Sequence, residues 1–298
     1  MSNLVPQKLA IYYGYPSGVN QTFTVSGAAN VFKDYNQVVF GTGLEDISHP
    51  DHQNTIDIIN HVDMTNTEVF GYIDAVLSLN TIQEKIDKWY SMGVSGIFMD
   101  QFGYDFGVSR EKQREILWSI HEKGDNTLKA FVNAWNPDDV FSSNIDAIHN
   151  PNGLTTRLGP NDFYLAESFA VMNGQYDDND IDADNIKDWQ NKAVKIVDYR
   201  TTYGTKLAAV TTWDSSVFDQ NKMDYAYYAS ILNTFNTFGF GEDNFSASSG
   251  SLPMRDRKLF SGTQFVGPVI MNGNIYYRYL NAGISINTNN HTVDTLIE

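Results

Sequence analysis

What most constrains this chain is an alternation. Short apolar runs that end on polar, aromatic or glycine residues are separated by longer segments of helical period. The runs are Leu9–Tyr13, Gln37–Phe40, Glu68–Ile73, Val94–Met99, Leu128–Val132, Asp162–Ala166 and Lys206–Thr212, with a weaker eighth at Phe238–Gly241. Most are too short and too apolar to be half-exposed. Strands buried on both faces of a parallel sheet read this way. Between them, Ile82, Ile86, Trp89 and Tyr90 recur at helical spacing, with Glu84, Lys85 and Lys88 on the other face and Gly93 as the stop. Ile116, Leu117 and Ile120 form a second stripe. Ile186, Trp189, Ala193, Ile196 and Val197 form a third, with Asp184 as its expected N-cap. Tyr228, Ile231, Leu232 and Phe235 form a fourth, expected to stop near Gly239. Residues 25–35 and 52–62 are weaker helix candidates.

Seven or eight such units over residues 1–245 favour a (β/α)8 TIM barrel over a doubly wound sheet. The first strand is followed by Gly14-Tyr-Pro-Ser-Gly18, which is not a dinucleotide turn, and no phosphate-binding loop occurs. From about residue 246 the texture changes. Ser246–Pro253 reads as a linker, and Asn272-Gly between apolar runs is a hairpin signal. Residues 246–298 are therefore expected to form a linker and a small antiparallel β-hairpin appendage.

Composition narrows the function. The 298 residues include no cysteine, which excludes thiol nucleophiles and Cys-ligated metal sites. A net charge of −16 argues against nucleic acid as a partner. No apolar stretch is long enough to span a membrane. Residues 1–10 carry no basic segment followed by an apolar run, so no signal peptide is expected in the sequence as written. Extracellular or virion-associated action is compatible with that, and the location is left unassigned.

In a TIM barrel the reactive groups sit where strands end. Here the ends supply Tyr13, Tyr72, Asp74, Asp100, Gln101, Asn133, Trp135, Glu167, Trp213 and Asp214. Carboxylates on separate strands and several aromatics are the parts that glycoside hydrolysis needs. One carboxyl group protonates the leaving oxygen, the other attacks or activates water, and aromatic faces stack on sugars. Two other clusters rank lower. Asp177–Asp184 lacks the glycine and glutamate of a calcium loop, and His49 with His52 shows no third ligand in sequence, so no metal and no cofactor is expected.

Val69-Phe-Gly-Tyr-Ile-Asp74, a helix, and then Gly93-Val-Ser-Gly-Ile-Phe-Met-Asp100 resemble the spherulin-4-like barrels that include endo-α-1,4-polygalactosaminidases. Ile11-Tyr-Tyr-Gly-Tyr-Pro16, Phe131-Val-Asn-Ala-Trp-Asn-Pro137 and Phe163-Tyr-Leu-Ala-Glu-Ser-Phe169 are similar to that family's strands one, five and six, in chain order. The resemblance implies catalytic carboxylates at Asp100 and Glu167, and an endo-acting glycoside hydrolase on an amino-sugar-rich, possibly cationic galactosamine polysaccharide. It departs at Gln101, where the family has a second acid, and after Asp74, where the family's Tyr-Gly and Arg are missing. Those departures motivate the alternative: a non-catalytic carbohydrate-binding or structural barrel of a phage tail or cell-surface assembly.

Overall fold

The structure is a computed structural model that describes residues 5–123, 127–179, 186–214, 218–241, 243–244, 265–280 and 282–297. The chain runs β1 (Gln7–Tyr12), α1 (Val25–Phe32), β2 (Gln37–Phe40), α2 (His52–Ile59), β3 (Glu68–Asp74), α3 (Leu79–Met92) and β4 (Gly96–Asp100). It continues with α4 (Arg110–Glu122), β5 (Lys129–Asn133), α5 (Asp138–Phe141), β6 (Phe163–Glu167) and a hairpin of β7 (Val171–Met172) and β8 (Gln175–Tyr176). Then come α6 (Trp189–Tyr203), β9 (Lys206–Thr211), β10 (Trp213–Asp214), α7 (Gln220–Leu232), β11 (Thr237–Phe240) and β12 (Asp243–Asn244). Strands β1, β2, β3, β4, β5, β6, β9 and β11 are parallel neighbours in that order, and β11 pairs back onto β1. That is a closed (β/α)8 barrel, as the alternation implies.

Two apolar layers follow from the period-2 geometry of the strands. Inward positions fill the barrel with Leu9, Ile11, Val39, Phe70, Phe98, Phe131, Phe163, Leu165, Ala208 and Val210. Four of these are phenylalanines, with ring centroids 5.3–5.8 Å apart, so the interior is a plugged floor rather than a pore. Outward positions pack against the helices in a second, larger cluster. Gly71 lets α3 close on the sheet, because a methyl group there would lie inside the Trp89 indole. Trp89 Nε1 donates to the Tyr72 carbonyl at 3.2 Å and fixes the approach.

The helix caps correct several sequence expectations. Ser78 and Ser109 cap α3 and α4, and Gly93 ends α3 in the left-handed region as expected. The expected cap of α6, Asp184, lies outside the described residues. The observed cap is Asp188, which accepts from the Asn191 amide. Helix α7 stops at Leu232, well before Gly239. Thr234 turns the chain with φ 55°, and Gly239 lies inside β11, where a side chain would meet the Leu9 carbonyl. The helix after β5 shrinks to the single turn α5.

The C-terminal part is larger than a hairpin. Strands β13 (Phe265–Asn272), β14 (Ile275–Leu280), β15 (Ala282–Asn287) and β16 (Thr292–Ile297) form a four-stranded antiparallel sheet. Strand β16 has weaker apolar alternation than its neighbours, with Thr292, Asp294 and Thr295 among its six residues. Gly273 at φ 62° makes the Asn272-Gly turn as expected. Ile284 and Ile286 are fully buried in the same cluster as the helices, so the sheet closes over α7. The expected linker 246–253 lies outside the described residues. Among the described residues no helix is long and apolar enough to cross a membrane.

Candidate functional site

The inward rows of the barrel end at its C-terminal mouth. Leu9 and Ile11 lead to Tyr13, Phe70 to Tyr72, Phe98 to Asp100, Phe131 to Asn133, and Phe163 and Leu165 to Glu167. Alternation along a strand therefore aims Tyr13, Asp100, Asn133 and Glu167 into one space above the phenylalanine floor, while Tyr72 does not line that space and reaches it only through its bond to Asp100. That space is a pocket of about 180 Å³, lined by Tyr13, Asp100, Gln101, Asn133, Trp135 and Glu167 among others. Among the described residues, no lysine, arginine or histidine lines it.

Asn133 holds the two carboxylates together. Its amide nitrogen donates to Asp100 Oδ1 at 2.8 Å and also to Glu167 Oε2. An amide nitrogen with its hydrogens about 120° apart, bonded to two oxygens at ordinary lengths, sets those oxygens roughly 5 Å apart. Tyr72 Oη donates to the other Asp100 oxygen, Oδ2, at 2.7 Å. Asn133 Oδ1 is buried and accepts no hydrogen bond among the described residues. Because it lies in the pocket beside both carboxylates, it is an acceptor that a ligand donor can satisfy.

The two tyrosines pack edge to face with centroids 5.5 Å apart. Burial pushes the Tyr13 hydroxyl well above its ordinary value, and the charges of Asp100 and Glu167 add to the effect. Tyr72 is raised by burial first, then by the field and hydrogen bond of Asp100. Both phenols are proton donors at any ordinary pH.

One backbone device follows both carboxylates. Gln101 and Ser168 adopt φ 54° and 56°, a left-handed conformation uncommon outside glycine. The next amide then bonds a neighbouring strand: Phe102 N–H to the Asn133 carbonyl at 2.8 Å, and Phe169 N–H to the Val210 carbonyl at 3.0 Å. The turn stops each strand on its carboxylate and sends the chain sideways. Strained residues of this kind cluster at functional sites.

Two expected members of the site are placed elsewhere. Trp213 is fully buried against Phe218 and Phe240, so it is core and not a stacking platform. Its parity explains this: Val210 points inward, so Trp213, three residues on, points outward. Asp74 has inward parity but does not line the pocket. Its carboxylate accepts from the Val76 amide at 3.0 Å and closes a turn. The side chain of Asp214 lies outside what the structure describes. Phe106, 39% exposed, lines the pocket and was missed in sequence. An aromatic in the loop directly after β4 was the available signal. His49 and His52 serve their loop: His49 Nδ1 accepts from the Asp51 amide, and His52 Nδ1 pairs with the Leu44 carbonyl. Of the Asp177–Asp184 run, residues 180–184 lie outside the described residues.

The chain matches no protein-family model, and no curated protein matches it. It is similar in fold to Amy13B of Eubacterium rectale, at 9% identity and a TM-score of 0.56, over 95% of this chain and 86% of that one. It also resembles the enoyl reductase domain of MlnA from Bacillus amyloliquefaciens, at 13% identity and a TM-score of 0.47 over 78% of this chain. The chain spans about half (52%) of that domain's length. Such identities show the fold alone. This is a TIM-barrel protein whose solved structural neighbours include named enzymes.

Proposed function

We propose that this barrel is an endo-acting glycoside hydrolase of the spherulin-4-like, polygalactosaminidase-like kind, cleaving an amino-sugar-rich polysaccharide with retention of configuration. The observation that carries the reading is the single Asn133 amide bonded to both Asp100 and Glu167. Retaining enzymes hold their carboxyl groups about 5–5.5 Å apart, whereas inverting ones leave about 6.5–9.5 Å for a water. Here the amide occupies the space between the two groups.

The roles follow from the donors. Asp100 accepts from both Tyr72 and Asn133, one donor on each oxygen, which orients it as the nucleophile. Glu167 is then the acid. It gives its proton to the glycosidic oxygen as the bond to the anomeric carbon breaks, and Asp100 forms an ester to that carbon. Glu167, now a carboxylate, takes a proton from water. The water oxygen attacks the same carbon and frees Asp100.

The substrate class rests on the family resemblance and on the pocket's charge. Among the described residues the lining offers acidic and amide acceptors without a cation, which suits an ammonium or hydroxyl-rich sugar, and the overall charge of −16 would draw in a cationic polymer. The test is a reducing-end assay on a partly de-N-acetylated galactosamine polysaccharide. New reducing ends support the proposal. Binding without new ends overturns it in favour of a non-catalytic carbohydrate-binding barrel.

A further inference from the structure

A second cavity lies on the outer wall of the barrel, where the C-terminal sheet overhangs α6 without closing on it. It measures about 540 Å³, within the size range of small-ligand sites. One wall is α6, with Val194 and Val197; the other is the inner face of β13 and β14, with Val269, Met271 and Tyr276. Val194 is 61% exposed and Met271 64%, although both face the gap. Two apolar walls thus stand open to solvent.

The cavity is polar at one end. Arg200 and Arg278 both line it. Arg200 donates only to neutral oxygens at the end of α7: the Thr234 carbonyl at 2.6 Å, Thr234 Oγ1 at 2.8 Å and the Asn233 carbonyl at 3.5 Å. No carboxylate pairs with Arg200 among the described residues, and Asp198, the one acid lining the cavity, makes no ion pair with it. Arg278 reaches the same helix end through the Leu232 carbonyl at 3.1 Å, and its Nε donates to the Gly267 carbonyl at 2.7 Å. Burial, followed by the like charge of Arg278, holds the Arg200 guanidinium below its ordinary value. The two arginines therefore stand at one end of a gap that is apolar in its middle, at Val194, Val197, Val269 and Met271, and polar again at Gln190 and Asn191. Val194 and Arg200 are six residues apart on α6, which sets the apolar stretch roughly 9 Å from the charge.

We propose that this wedge binds a single-chain anionic amphiphile, with its carboxylate or phosphate head at Arg200 and its apolar chain between Val194 and Met271. Charge complementarity selects the anion, since the Arg200 guanidinium, whose hydrogen-bond partners are all neutral oxygens, attracts either head. The open apolar walls take the tail. The site is independent of the carboxylate pocket, so its failure leaves the proposed hydrolase untouched.

The experiment is titration calorimetry of the whole protein with dodecanoate, with dodecyl phosphate and with the neutral dodecyl maltoside. The account predicts one site for at least one anionic probe, with affinity in the micromolar range and at least about tenfold tighter than for the maltoside. A preference for the phosphate assigns that head, and a preference for the carboxylate assigns the other. Val194→Trp fills the gap and Met271→Asp puts a negative charge in it; both positions are exposed, so the fold should stand with an unchanged melting temperature. Each variant should lose about tenfold or more in affinity. No binding at about 1 mM probe, equal binding of the maltoside, or undiminished binding by both variants would overturn the proposal.

Discussion

Tyr72 on β3 donates its phenolic hydrogen to Asp100 on the neighbouring β4, Oη to Oδ2 at 2.7 Å. The contact ties the expected nucleophile to a ring that is itself held edge-on by Tyr13. Tyr72→Phe keeps the ring and deletes the bond. Stability should fall by only about 1 kcal/mol, while kcat should drop by about 10-fold to 100-fold as Asp100 loses its orientation. A thermal melt and a rate assay on the same preparation check both halves.

Stereochemistry is the second expectation. With Asp100 and Glu167 on one amide, the first product should carry the anomeric configuration of the substrate. Proton NMR of the earliest product, read before mutarotation, decides it. A first product of inverted configuration contradicts the assigned geometry.

Backbone strain gives a third. Gln101 is left-handed at φ 54°, which glycine adopts freely. Gln101→Gly should raise stability by about 0.5–1 kcal/mol in urea titration. Gly71→Ala should do the reverse. Its new methyl would enter the Trp89 indole, so α3 must move off the sheet, at a cost of about 3 kcal/mol or more.

Alkali gives a fourth. Burial and nearby carboxylates raise Tyr13 and Tyr72, and burial with Asp51 pushes Tyr12 up to about 12. The folded state therefore keeps these protons after the unfolded chain has released them. Their contribution to stability is complete below about pH 10, the unfolded value, and is lost as pH rises through the folded values. Urea midpoints should be flat from pH 7 to about 9.5 and fall steeply above about 10.

Much of this was legible in the sequence for a simple reason. Strands buried on both faces announce themselves as apolar runs, and the residue that ends each run is a barrel-mouth residue. Asp100, Asn133 and Glu167, the ends of three separate runs, accordingly meet in one pocket. Strand parity makes the exception. Trp213 ends the seventh run in sequence but sits on the outward face, and it went to the core. The bridging role of Asn133 was invisible, because it depends on the distance between β4 and β6 across the intervening β5. The wedge against α6 was equally hidden, since it exists only through the packing of a sheet more than sixty residues further along the chain.

The most direct measurement compares wild type with Asp100→Asn and Glu167→Gln for new reducing ends from the de-N-acetylated galactosamine polymer, alongside their melting temperatures. Both substitutions keep the size of the side chain and remove its charge. The account predicts that each variant loses about 10³-fold or more of the rate while melting within a few degrees of wild type. Wild-type rates in either variant would contradict it.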